Sequence, residues 1–243
     1  MGTKAVFDSK SCEIRYDVLS RIAKDISKLL SMENEVIIVS SGAVGCGKAI
    51  IGGDGSIGLK QSQAAVGQIK LMEEFSKVFA KEGLHIAQFL LNVDDLNSDR
   101  RENILKAYKN LKGKAIPIVN ENDVTAIDEL SFGDNDNLAS EILRVFDFDI
   151  LLVLTELGAL VFDGKIVKIS NNFSVDGYDN LSSNDGYGFG GLSSKLIVAK
   201  KVVGSGKEFV IGKAGDNLVE ILSGRGVSTV FSASLKINKG INS

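Results

Sequence analysis

Apolar residues recur at Ile14, Val18, Ile22, Ile26 and Leu29, the spacing of a helix with one buried stripe, so residues 14–30 are predicted to be helical. Val36-Ile37-Ile38-Val39 is apolar throughout and reads as a short buried strand. A second helix is predicted over 63–81, a strand over Leu84–Leu91, and a helix from about Asp99 to Gly113. Strand 115–119, a helix near 137–146 and strand 150–154 follow. Leu160–Ile169 reads as a hairpin around Asp163-Gly164, since Asp-Gly suits a tight turn. After a polar, glycine-rich stretch (170–191), a helix starts at Leu192. Strand 208–211, helix 216–223 and strand 227–231 complete the pattern.

Strands alternating with helices, several too apolar to expose either face, predict an α/β fold with a mostly parallel sheet covered on both sides. No repeat or long linker divides the chain, so 1–243 is expected to form one domain.

Between Ala115 and Leu143 stand seven carboxylates and no Lys or Arg. Asn120-Glu121-Asn122-Asp123 follows an apolar strand, and Gly133-Asp134-Asn135-Asp136-Asn137 precedes a helix. Asn and Asp also serve in turns and helix caps, and a pair of solvated acidic turns is the plain alternative. The ends of parallel strands, however, are where open α/β sheets bind ligands. A charge-dense loop there suits a cation: an ammonium group, a lysine from elsewhere or a metal.

Two glycine loops suit anions instead. Ser40-Ser41-Gly42-Ala43 ends the strand at Val39 with successive backbone N–H groups able to hold anionic oxygens, or simply turns the chain into a helix. The stretch Gly42–Ala49 resembles a P-loop but fails where Ala49 lacks the hydroxyl that binds magnesium, and Gly53–Gly58 matches a dinucleotide pattern with no strand leading into it. Gly190-Gly191-Leu192-Ser193-Ser194-Lys195 opens a helix; its glycines admit a phosphate, the helix N-terminus favours negative charge, and Lys195 adds a full positive charge.

Composition narrows the classes. The 243 residues are 44% hydrophobic, enough for a full core, and a net charge of −3 argues against nucleic acid as the main partner. Cys12 and Cys46 have no metal-ligand spacing and suit a reduced, cytoplasmic protein. One histidine, His85, in an apolar run makes histidine-based catalysis a poor expectation. No apolar run is long enough to cross a membrane, and no secretory leader is read at Met1.

Together these motifs resemble the amino acid kinase family, most closely its glutamate 5-kinase branch. The resemblance runs from Gly2 to about Ala233. It rests on Val39–Ala43, Asp99-Arg100 with Asn103, Asn120–Asp123, Gly133–Asn137 and Gly190–Lys195, with Leu154-Thr155-Glu156 at the family's nucleotide contact. It implies a three-layer α/β/α sandwich with a mostly parallel central sheet. Ser41, Gly42, Asp123 and Asn135 would hold glutamate. Thr155, Glu156, Phe189, Gly190, Gly191, Leu192, Ser193, Ser194 and Lys195 would hold ATP. Lys195 would be catalytic, with Asp136 orienting it. Magnesium would arrive with ATP and need no dedicated protein ligands. The reaction implied is phosphorylation of the glutamate side-chain carboxylate, the first step of proline biosynthesis, by a cytoplasmic homo-oligomer (dimer or tetramer).

Three departures stand against the family pattern. The Lys-x-Gly of its first strand is matched only from Gly2, so the lysine would fall before Met1 and the strand would be incomplete. Glu156 replaces the usual Asp, and Phe189 a small polar residue. The chain ends before the PUA domain that many members carry. Acetylglutamate, aspartate, carbamate and uridylate kinases are alternatives within the family; a weakened glutamate- or nucleotide-binding sensor is another. An acceptor that is a nucleotide would need positive charge near 115–143, where none is encoded.

Overall fold

A computed structural model describes residues 1–8, 13–125, 135–162, 165–167, 169–170 and 192–232. These fall into two compact units, Met1–Asn135 and Asp136–Ser243.

In the first unit, helix α1 (Thr3–Val6) leads into strand β1 (Phe7–Asp8), which pairs antiparallel with β2 (Glu13–Ile14). The family resemblance implies an incomplete first strand around Gly2. Instead only Met1 runs beside the sheet, its N-terminal nitrogen donating to Val39 O (2.5 Å) and its carbonyl accepting from Ser41 N–H (3.1 Å). Helix α2 (Tyr16–Ser31) buries Val18, Leu19, Ile22, Ile26 and Leu29, the stripe its periodicity announced. Strand β3 (Ile38–Val39) then meets helix α3 (Ala43–Ile51), which is followed by the 24-residue helix α4 (Ile57–Ala80).

Strand β4 (Ile86–Leu91), helices α5 (Val93–Leu96) and α6 (Arg100–Leu111), and strand β5 (Ile116–Glu121) complete this unit's regular structure. The sheet order is β3-β5-β4, all parallel. Its central strand, β5, is buried at every residue and continues two residues past the apolar run, because Asn120 and Glu121 pair with Leu90 and Leu91 of β4.

Helices α3 and α4 touch backbone to backbone. A Cβ on Gly47 would lie 1.7 Å from Gln63 O, and one on Gly67 would lie 1.9 Å from Ala43 O. Gly47, which lies in the stretch that resembles a P-loop, therefore serves helix packing. The Gly53–Gly58 stretch follows helix α3 and not a strand, so it lacks the context of the dinucleotide pattern. Ser56 caps α4, its Oγ accepting from Leu59 N–H, and the helix is already under way at Gly58. Beyond it, Phe75 stacks on Phe79 at 5.8 Å in the unit's core.

The second unit has helix α7 (Asn135–Val145, its first residue counted with the first unit) and strand β6 (Ile150–Thr155). Strands β7 (Leu160–Phe162) and β8 (Lys165–Val167) pair antiparallel as the predicted hairpin, whose Asp163-Gly164 turn lies outside the described residues. Strand β9 (Ile169–Ser170), helix α8 (Leu192–Gly204), strand β10 (Glu208–Lys213), helix α9 (Leu218–Leu222) and strand β11 (Ser228–Phe231) follow. The sheet order is β6-β10-β11-β9, with β6–β10 and β11–β9 parallel and β10–β11 antiparallel. Its core joins Phe209 and Phe231 (centroids 5.9 Å apart) to Leu196, Ala199 and Val202 from α8 and Leu143 from α7. Among the described residues no helix is long and apolar enough to cross a membrane.

Candidate active site

The acidic segment of the first unit builds a cleft. Strand β5 delivers Asn120 and Glu121 into the interior, and Asn122 turns the chain so that Asp123 is only 8% exposed. Glu121, Asn122, Asp123 and Val124 form one wall of a cleft of about 180 Å³; Ala43, Ala64 and Gln68 from α3 and α4 and Gln88 from β4 are among the others. Burial pushes the Asp123 carboxyl up to about 6 from its ordinary 3.8. Such a group sits uncomfortably as an anion until a cation joins it.

Ser41 and Asn135 meet beside it. Asn135 Nδ2 donates to Ser41 Oγ at 2.7 Å, and Asn135 Oδ1 accepts from the Glu121 N–H at 3.3 Å. Residues 94 positions apart are thus joined, and Glu121 links their pair to the cleft wall. Gly42 caps α3 with φ at +117°, backbone that side chains rarely tolerate. A Cβ there would meet nothing closer than 3.7 Å, so conformation rather than space requires the glycine.

In the second unit two helix N-termini carry opposite charges into contact. Asp136, in the first turn of α7, accepts from Lys195 Nζ in the first turn of α8 at 3.0 Å. The acid suits its helix end, whereas a lysine near a helix start opposes the dipole. The Asp136 carboxylate offsets that cost and fixes the ammonium, with side-chain exposures of 19% for Lys195 and 25% for Asp136. Farther along the same two helices, the buried Glu141 accepts from Lys201 and from Arg144. This second cluster locks α8 against α7, so the position of Lys195 is fixed by packing as well as charge.

The remaining expectations are placed less specifically. Thr155 ends β6 with its Oγ1 accepting from Gly158 N–H at 2.9 Å, and Glu156 is exposed. Leu192, Ser193 and Ser194 form the start of α8, while Phe189, Gly190 and Gly191 lie outside the described residues. Asp99 and Arg100 are exposed at the start of α6, where Arg100 pairs with Asp95 at 2.5 Å. Sequence reasoning missed Gln68. Its signal was present: a glutamine on the stripe of α4 that otherwise buries Ala64, Leu71 and Phe75. Among the described residues no group of three or more His, Cys, Asp or Glu is placed to hold a metal.

Comparison with known proteins agrees on the kind of protein this is. The amino acid kinase family model matches residues 1–213. Glutamate 5-kinase from Dictyoglomus turgidum is 32% identical over 253 residues, covering 98% of this chain and 68% of that protein. Glutamate 5-kinase from Prochlorococcus marinus (strain MIT 9301) is 35% identical over 234 residues, covering 88% and 64%. The chain thus spans about two thirds of the length of these relatives. Among solved structures, UMP kinase from Ureaplasma parvum aligns with a TM-score of 0.60 at 12% identity, and an isopentenyl phosphate kinase with 0.62 at 14%. Each alignment covers 95% of this chain and 96% of the other. At such identities the likeness is one of fold, an α/β arrangement of helices with largely parallel sheets. The chain belongs to the amino acid kinase family.

Proposed function

We propose that this chain uses ATP to phosphorylate the side-chain carboxylate of L-glutamate, giving glutamyl 5-phosphate for proline biosynthesis. The observation that carries this reading is Asp123, a buried carboxylate lining a cleft in a segment without Lys or Arg, which suits the ammonium group of an amino acid. The relatives named glutamate 5-kinase support the same acceptor. The family match across residues 1–213 supports treating the chain as one kinase domain.

The donor set at the start of α8 fits a triphosphate: helix N–H groups plus a lysine ammonium whose direction an aspartate holds. ATP, with the magnesium it carries, supplies the phosphoryl group. Thr155 and the α8 start are assigned to binding it, and Lys195 to offsetting charge on the oxygens of the group in flight. Ser41, Gly42 and Asn135 are assigned to the amino acid. Its side-chain carboxylate is ionised at neutral pH, so attack needs no general base, and a chain with one histidine lacks nothing for it. Positioning and charge neutralisation remain as the sources of rate. Purified protein given ATP should release ADP with L-glutamate and not with N-acetylglutamate, which has no ammonium group. Turnover of N-acetylglutamate or UMP in place of glutamate would reject the assignment.

Asp123 gives this reading a pH signature. Its folded-state pKa of about 6 lies above the unfolded value, so its contribution to stability is present in acid and is lost as pH rises through 6. At neutral pH the ionised group then costs about 3 kcal/mol in the ligand-free protein. Asp123→Asn is expected to raise the melting temperature at pH 7.5 while raising the glutamate KM far more than the ATP KM. In the unsubstituted protein the glutamate KM should climb roughly tenfold per pH unit below about 6, as protons compete with the ammonium. A pH-independent KM between 5 and 7 would remove Asp123 from substrate binding.

A further inference from the structure

Asn120 is 1% exposed and sits at the end of β5 with both ends of its amide engaged. Its Oδ1 accepts from the Glu121 N–H at 3.0 Å, which leaves only Nδ2 to meet Gln68. An amide nitrogen can only donate, so the group of Gln68 that faces it must be the oxygen, and Nδ2 to Oε1 measures 2.8 Å. The orientation of the Gln68 carboxamide is therefore dictated by a backbone N–H two links away. Its nitrogen, with two N–H donors, points elsewhere.

Gln68 is 8% exposed, and its Nε2 has no hydrogen-bond partner among the described residues. A buried amide nitrogen left in that state costs about 1–3 kcal/mol, so it is tolerated where an acceptor arrives from outside. Gln68 lines the same cleft as Asp123 and Glu121. Gln68, with its orphan donor, thus stands in one small space with Asp123, a buried carboxylate that calls for a cation. The complementary ligand carries an acceptor and a cation close together, which describes the carboxylate and ammonium of an α-amino acid.

We propose that Gln68 is a specificity-determining residue whose Nε2 donates to the α-carboxylate of the amino acid that Asp123 holds by its ammonium. This rests on the glutamate reading above and deepens it: the cleft grips the invariant head of the substrate and leaves the side-chain carboxylate for phosphorylation. The assignment also separates Gln68 from Asn120, whose part is to turn the Gln68 amide the right way round.

The test compares L-glutamate with 4-aminobutanoate, which keeps the ammonium and the reacting carboxylate but lacks the α-carboxylate. Binding of each is measured by calorimetry for the unsubstituted protein, Gln68→Glu and Gln68→Leu. Gln68→Glu keeps an oxygen for Asn120 Nδ2 and replaces only the donor, so it isolates the proposed contact; Gln68→Leu serves if the new carboxylate prevents folding. Hydrogen bonds to charged groups set the expected scale: glutamate binding should weaken by roughly 10- to 100-fold, while 4-aminobutanoate binding stays within about threefold. The preference for glutamate then largely disappears. An unchanged preference, or an equal loss for both ligands, overturns the proposal and leaves Gln68 a structural residue. Failure of the unsubstituted protein to bind glutamate at all strikes the glutamate reading itself, a result separable from either of these.

Discussion

Lys195→Met is expected to lower kcat by roughly 10²-fold or more, the effect of removing one preorganised charge donor from a transition state. The geometry gives the reason. Lys195 Nζ is held 3.0 Å from Asp136 in a partly buried pair, on the first turn of a helix whose inner face is fixed in the core by Leu196, Ala199 and Val202. A charge set in place before the reaction needs no reorganisation when the phosphoryl group moves. The glutamate KM should change little, because the residues assigned to glutamate are others. Asp136→Asn should reproduce part of the loss by releasing the ammonium from its direction. Lys201→Met is the control: it breaks the pair with Glu141 on the same two helices, and should lower stability without a comparable fall in kcat. Steady-state rates with saturating substrates settle the matter, and an unaltered kcat in Lys195→Met takes this residue out of the chemistry.

Gly67→Ala should be among the most damaging single methyl groups in the first unit. The added Cβ would stand 1.9 Å from the Ala43 carbonyl oxygen and 2.3 Å from the Gly47 nitrogen. Both neighbours are backbone, so no side chain can swing aside and α3 must move off α4. Overpacking of this severity costs on the order of 3 kcal/mol. In a chain of this size, that is a fall in melting temperature of about 6–12 °C. Because α3 begins straight after Ser41-Gly42, its displacement should also raise the glutamate KM before it disturbs the ATP KM. Gly58→Ala supplies the opposite sign. Nothing lies within 4 Å of a Cβ there, the residue is helical, and alanine favours a helix by up to about 1 kcal/mol. Thermal melts of the two variants should diverge in opposite directions, and equal melting temperatures would contradict the close approach of the helices.

The elements that were legible in advance are those whose burial comes from one repeating pattern. Helix α2 buries the stripe that its spacing showed, and β6 and β10 are apolar runs that pair in parallel. Elements that depend on neighbours were misread or missed. Helix α3 contains two internal glycines, poor helix formers on their own, and forms because Gly47 lets it lie against α4. Strand β5 was expected to stop at Val119, since Asn and Glu resemble a loop; pairing with β4 extends it to Glu121. Residues Thr3–Val6 form a helical turn where a strand was expected.

For the site, the sequence by itself determined the inventory: an acidic, amide-rich segment free of basic residues, a glycine turn after β3, and a lysine at the opening of a helix. Those follow from residue type and local spacing, which any stretch of chain carries with it. The tertiary structure decided the rest. That Ser41 meets Asn135, and Lys195 meets Asp136, depends on elements far apart in the chain coming together. That Asp123 is buried enough to hold its proton up to about pH 6 depends on walls supplied by α3, α4 and β4. Gln68 shows the division most sharply: its place on a buried helix stripe is written in the periodicity, but the direction of its amide is set by Asn120 and a backbone N–H on another element. Hydrogen bonds are directional and short, so which polar group is satisfied and which is left for a ligand is settled only when distant segments are packed.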